Sequence, residues 1–72
     1  MNIKQSLGLR VKELRIHNGY SQKKFSQQCH LDRTYIVSLE NGHRNVSIEN
    51  IEKITKTLHI SLTEFFDSEL FE

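Results

Sequence analysis

The side chains best suited to recognising another molecule lie in one short segment, Arg33 to Ser38. This segment combines a guanidinium, hydroxyls and an apolar group, a mixture that can bond to base-pair edges and contact thymine methyls. The guanidinium of Arg33 can donate two parallel hydrogen bonds to O6 and N7 of guanine. We predict that bases of duplex DNA are read by Arg33, Thr34, Tyr35, Val37 and Ser38.

The residues after Arg33 differ in what they can contact. Thr34 can bond to a base or a phosphate, and Tyr35 can donate to a phosphate or lie against a deformable pyrimidine–purine step. Val37 and Ser38 follow one helical turn later and can contact thymine methyls and polar base edges.

Arg33 has a competing interpretation, a surface ion pair with Asp32 or Glu13. A cation in the first turn of a helix is disfavoured by the helix dipole. An arginine in that position therefore favours an external anionic or base ligand over a purely structural role.

A second group of polar residues flanks this segment and is suited to phosphate. Gln22 is the first residue of a predicted helix, and backbone amides at a helix N-terminus bind anions. Such contacts hold a protein on DNA without specifying sequence. Arg10, Lys23 and Lys24 are expected to add only diffuse attraction. The predicted phosphate contacts are Ser21, Gln22, Asn41, Arg44, Asn45 and Ser47.

The sequence gives little support for a catalytic site or a metal site. Cys29 and His30 are adjacent on a helix, so their side chains point apart and cannot form a nucleophile–base pair. The four histidines lie thirteen or more residues apart, without the spacing of a metal site. We expect no enzyme, cofactor, metal or small-molecule ligand.

Two capped helices must position the predicted reading residues. Ser21 begins one helix, Asp32 begins a second, and Gly42 follows its end. A short turn joins the two helices. Two short helices joined by such a turn form a helix-turn-helix, whose second helix enters the major groove.

Periodicity predicts five helices and no strand in a single all-α domain, residues 1–72. The first helix runs from Ile3 to His17, the fourth follows the cap Ser47, and the fifth follows the cap Ser61. Gly8 lies inside the first helix, where it costs about 1 kcal/mol relative to alanine. Close approach of a neighbouring helix would explain it.

The C-terminal helix carries more apolar residues than its inward face can bury, since it is expected to include Leu62, Phe65, Phe66, Leu70 and Phe71. Adjacent Phe65 and Phe66 point about 100° apart on a helix, so at least one of them should reach the surface. A contiguous apolar patch of this kind predicts a protein interface, although an aromatic closing the core beside a frayed tail is the alternative. The predicted homodimer interface contains Ile51, Ile60, Leu62, Phe65, Phe66, Leu70 and Phe71.

Composition is consistent with this interpretation. The net charge is only +1, but residues 1–47 carry eight lysines and arginines against three acids, and residues 48–72 carry two against six. One half can meet phosphate while the other faces away, although two merely solvated faces would give the same count. One cysteine, no long apolar run and no signal-peptide core predict a cytoplasmic protein without membrane segments.

The segment LGLRVKELRIHNGYSQKKFSQQCHLDRTYIVSLENG resembles the Xre family of phage-repressor and Cro-like DNA-binding domains. The resemblance covers essentially the whole chain and implies a lambda-repressor-like helix bundle. It also implies a buried ion pair between Arg15 and Glu40, and a Gln22 side chain that bridges a phosphate and Arg33. His30 stands where this family usually has glycine, which implies a positive φ at that residue, and histidine tolerates that conformation better than most residues. Ser26 stands where the family usually has alanine.

Within that family, LDRTYIVSLENGHRNVSI followed by a short helix looks like the controller proteins of restriction–modification systems. This resemblance implies a bacterial or phage-encoded dimer that binds a two-fold operator, regulates its own operon and, when activating, contacts RNA polymerase. The alternatives are a phage-type repressor, an antitoxin of a toxin–antitoxin pair, or an interaction module that has lost DNA binding.

Overall fold

The computed structural model describes all 72 residues and contains five α-helices and no strand. The predicted all-α architecture is confirmed, and each helix begins at the residue expected from its cap. One boundary was wrong, because the fifth helix ends at Phe66 and Leu70 and Phe71 lie in a separate 3₁₀ turn. The elements are α1 (Ile3–His17), α2 (Gln22–Cys29), α3 (Arg33–Glu40), α4 (Ile48–Leu58), α5 (Leu62–Phe66) and the 3₁₀ turn Glu69–Phe71.

Serine hydroxyls cap three of the helices. Ser21, Ser47 and Ser61 accept hydrogen bonds from the backbone amides of the third helical residues of α2, α4 and α5. Each bond satisfies an amide that has no partner inside the helix. Asp32 occupies the N-cap position of α3 as predicted, but its side chain makes no capping bond. No helix is long and apolar enough to cross a membrane.

All five helices contribute to one hydrophobic core. Phe65 is completely buried in it, so its predicted place in a dimer interface was wrong. Ile51 is only 7% exposed and contributes mainly to the same core. Phe66 points outward, as the 100° step between neighbours requires. The core residues are Leu7, Val11, Phe25, Cys29, Ile36, Leu39, Ile51, Ile54, Leu58 and Phe65.

Two backbone features bring α3 into place. A Cβ on Gly8 would lie 2.8 Å from the carbonyl oxygen of Glu40 and closer still to that of Leu39, so α1 and α3 touch only because this residue is glycine. His30, between α2 and α3, has a φ of 59°, the left-handed conformation predicted for it. His59 adopts the same conformation at the end of α4, which was not predicted.

Arg10 holds α5 against α1. Its Nε donates to the carbonyl oxygen of Phe65 at 2.7 Å, and its Nη2 donates to that of Glu64 at 2.8 Å. Its Nη1 pairs with Glu13 at 2.7 Å. Arg10 therefore has a structural role that the sequence did not reveal, and its diffuse attraction for DNA stays a prediction.

Candidate nucleic-acid interface

Arg33, Thr34, Val37 and Ser38 lie on the side of α3 that faces away from the core, and Tyr35 lies at its flank, where the ring packs against the core. Arg33 and Thr34 are exposed in the first turn, and Tyr35, Val37 and Ser38 are half-buried. Ile36 and Leu39, on the opposite side of the helix, are buried. The structure therefore brings four of the five side chains together on the accessible side of α3, with Tyr35 at its edge.

Arg33 has no ion-pair partner within the chain. The three salt bridges join Arg10 to Glu13, Arg15 to Glu40 and Lys56 to Glu52. The alternative structural role for Arg33, pairing with Asp32 or Glu13, is not formed. Its guanidinium remains available to a ligand outside the chain.

Tyr35 is less free than its neighbours on α3. Its ring packs against the core, and its hydroxyl oxygen accepts a hydrogen bond from Nδ2 of Asn50 at 3.1 Å. The guanidinium carbon of Arg44 lies 5.1 Å from the centre of its ring. Sequence reasoning missed Asn50, because nothing in the spacing of residues 35 and 50 indicates that α3 and α4 approach here.

The predicted phosphate contacts fall into two groups along the chain. Ser21 and Gln22 stand at the beginning of α2, and the others lie around the exposed loop from α3 to α4. The side-chain amide of Gln22 donates from Nε2 to Oε1 of Glu40 at 3.2 Å. In the free protein this side chain is therefore held by Glu40 and does not contact Arg33. Asn41, Arg44, Asn45 and Ser47 are exposed.

The implied buried pair between Arg15 and Glu40 is present. Arg15 donates from Nε to Oε2 of Glu40 at 2.6 Å and from Nη2 to Oε1 at 3.0 Å, while its Nη1 donates to the carbonyl oxygen of Tyr20. This two-bond geometry is the strongest form of an arginine–carboxylate contact. It ties α1, the approach to α2 and the end of α3 into one rigid unit.

Residues 11–65 match the family described as Helix-turn-helix. The chain belongs to the helix-turn-helix family. It is 48% identical to the control protein C.MunI of a Mycoplasma species, over 90% of this chain and 89% of the relative. It is 42% identical to the control protein C.BamHI of Bacillus amyloliquefaciens, over 92% of this chain and 83% of the relative.

Solved structures of the same family agree with these relatives. The restriction–modification controller protein C.AhdI of Aeromonas hydrophila superposes with a TM-score of 0.84 at 40% identity, over 88% of this chain and 96% of that one. The controller protein C.Esp1396I, solved as a tetramer with its natural 35-base-pair operator, gives a TM-score of 0.85 at 31% identity, over 93% and 88%. The resemblance to the Xre family and to its controller proteins is confirmed.

In helix-turn-helix terms, α2 is the first helix of the motif and α3 is the second. The second helix of such a motif is the one that lies in the major groove, with its N-terminal residues at the bases. Arg33 and Thr34 occupy that N-terminal position on α3. The Arg15–Glu40 pair anchors the other end of the same helix.

An apolar patch lies on the surface of this helix-turn-helix domain. Phe66 is 39% and Leu62 41% exposed, and Phe66 lines a groove together with Ile3 and Ile51. Arg44 and Asn45 of the loop before α4 line the same groove. Ile3 and Ile48, the first residues of α1 and α4, are largely exposed. Ile60, Leu70 and Phe71 are half-buried at the margin of α5.

Proposed function

We propose that this chain is a transcriptional regulator that binds a two-fold operator in double-stranded DNA as a homodimer. We further propose that it controls its own operon in a restriction–modification system and acts in the cytoplasm of its host. The observation that carries the proposal is Arg33, an exposed and unpaired arginine in the first turn of the second helix of the motif. The similarity to controller proteins supports the genetic context.

In the proposed complex α3 lies in the major groove. Arg33 donates to guanine, Thr34 contacts the neighbouring base or phosphate, and Val37 and Ser38 face the following base pairs. The residues at the start of α2 and in the loop after α3 hold the sugar–phosphate backbone on either side. Gln22 exchanges or shares its bond to Glu40 when it binds phosphate.

The dimer contributes the second half of the operator contact. A two-fold dimer presents two α3 helices to two half-sites about one helical turn apart. The apolar patch is the proposed interface, centred on Phe66 and Leu62, with Ile60, Leu70 and Phe71 at its edge and Ile51 beneath it. Phe65 supports it from the core at a ring distance of 5.0 Å from Phe66.

A gel-shift titration with the DNA directly upstream of the gene tests this proposal. Two successive complexes at nanomolar protein are expected if two dimers fill adjacent sites, and an unrelated duplex of the same length is the control. A single complex would favour a phage-type repressor or an antitoxin, and the neighbouring genes would separate those two. No specific complex below micromolar protein would favour an interaction module. Activation would also require a contact with RNA polymerase, testable by transcription from the same DNA in vitro.

A further inference from the structure

Tyr35 joins two elements of the domain through two different contacts. On one side, Nδ2 of Asn50, in the first turn of α4, donates to its hydroxyl oxygen at 3.1 Å. On the other side, the guanidinium of Arg44, in the loop before α4, lies 5.1 Å from the ring centre. A cation at that distance over an aromatic face is attracted by the ring quadrupole.

The direction of the Asn50 bond decides what Tyr35 can offer to DNA. A phenol has one O–H donor and can also accept hydrogen bonds, whereas the side-chain NH₂ of asparagine can only donate. Asn50 therefore occupies an acceptor site of the hydroxyl and leaves its proton free. A free phenol proton on the surface beside α3 is suited to a phosphate oxygen.

Arg44 depends on this ring for its position. The backbone amides of Arg44, Asn45 and Val46 make no hydrogen bond to other backbone groups, so the loop lacks that constraint. Arg44 is exposed and has no carboxylate partner. The contact with the Tyr35 ring is therefore the main interaction that its guanidinium makes within the chain.

We propose that Asn50 is a positioning residue for DNA binding: it fixes the phenol of Tyr35, and the Tyr35 ring in turn holds Arg44 ready for the phosphate backbone. This inference rests on the proposed function, because it assigns a use to contacts at the proposed DNA surface. The proposed role does not require Asn50 itself to touch DNA. Asn50 also links the reading surface to α4.

The first test needs no DNA. In wild-type protein, the side-chain protons of Arg44 should show an upfield ring-current shift in the NMR spectrum. We expect Asn50→Leu, which keeps side-chain size but removes the donor, to reduce that shift. Gln28→Leu is the matched control, because Gln28 is exposed and its side-chain amide makes no hydrogen bond. An unchanged Arg44 shift in Asn50→Leu would overturn the proposal.

The second test is a double-mutant cycle on the operator. Asn50→Leu and Tyr35→Phe should each weaken binding about two- to tenfold, the range for one hydrogen bond. The double variant should bind like Tyr35→Phe alone, because Asn50 acts through the hydroxyl that this variant lacks. Losses that multiply would show that Asn50 acts independently and would overturn the proposal.

Two controls keep the outcomes separate. Thermal unfolding of each variant checks that the fold is retained, and Asn50→Ala replaces Asn50→Leu if leucine prevents folding. If wild-type protein binds no DNA, the proposed function fails, while the NMR comparison still reports whether Asn50 positions Tyr35 and Arg44.

Discussion

At the scale of single residues, Arg33 and Arg44 have the same charge but different expected roles. Arg33 stands in the first turn of α3 without a partner, where it can bond to two atoms of one base. We expect Arg33→Ala to lower affinity for the operator by about 1–3 kcal/mol per lost base contact and to remove discrimination at that base. Binding to operators with systematic base changes measures this. Equal weakening on operator and random DNA would contradict a reading role.

Arg44→Ala should behave differently, because a phosphate contact is insensitive to sequence. We expect weaker binding to all duplexes by a similar factor and a salt dependence that falls by about one ion. Fluorescence anisotropy at several salt concentrations, with operator and random duplexes, gives both quantities. Loss of affinity for the operator alone would place Arg44 at a base instead.

The buried thiol of Cys29 should make the stability of the fold depend on pH. Burial raises the pKa of the Cys29 thiol above its ordinary value, and a hydrogen bond with Thr57 partly opposes that shift. The folded state therefore keeps the neutral thiol, while the unfolded chain loses the proton at about pH 8.5. Below that pH the thiol is neutral in both states, so this group does not make the free energy of unfolding depend on pH. As pH rises above it, only the unfolded chain loses the proton, and the free energy of unfolding should decrease. Urea unfolding at pH 7 and pH 9.5 should show a smaller decrease for Cys29→Ala than for wild type.

At the scale of elements, the position of α5 depends on one side chain from α1. Arg10→Ala would remove the donors to the carbonyl oxygens of Glu64 and Phe65, where hydrogen bonds from a charged group contribute about 1.5–3 kcal/mol. We expect a loss of stability within that range in urea unfolding. Lys12→Ala, at an exposed position of the same helix, is the control. Equal stability of the two variants would show that packing alone holds α5.

The elements themselves could be predicted from sequence because their signals are local. Ser21, Ser47 and Ser61 mark helix starts through bonds spanning three residues, and the apolar period marks each buried face. Gly8 was also informative, because a glycine inside a helix indicates the close approach of a neighbouring element. The positive φ of His30 was implied by the resemblance to the Xre family.

Contacts between elements were harder to foresee, because they depend on how helices cross. The Arg15–Glu40 pair was implied by resemblance alone. The bonds of Arg10 to α5 and of Asn50 to Tyr35 span 55 and 15 residues and leave no periodic trace. The assignment of Phe65 failed for the same reason, since periodicity could not decide which of two adjacent rings faced inward.

At the scale of the whole molecule, basic and acidic charge are separated along the sequence, which suits a protein proposed to bind DNA as a dimer. The N-terminal 47 residues carry the excess of basic charge, and the last 25 carry the acidic excess together with Leu62 and Phe66. Repulsion between acidic segments opposes dimerisation, so the interface must derive its stability from apolar burial. Salt should therefore strengthen the dimer while it weakens DNA binding.

Phe66→Asp tests the interface directly. The ring is 39% exposed and contacts Phe65 and Phe71 at ring distances of 5.0 and 5.1 Å, so a charge there can stay in water in the monomer but not in a dimer. We expect sedimentation velocity to show a monomer that keeps its helical circular dichroism and binds an operator half-site only weakly. Ile16→Asp, another exposed apolar position but on α1, is the control and should stay dimeric. A folded Phe66→Asp dimer would move the interface elsewhere on the surface, and the half-site geometry of the operator with it.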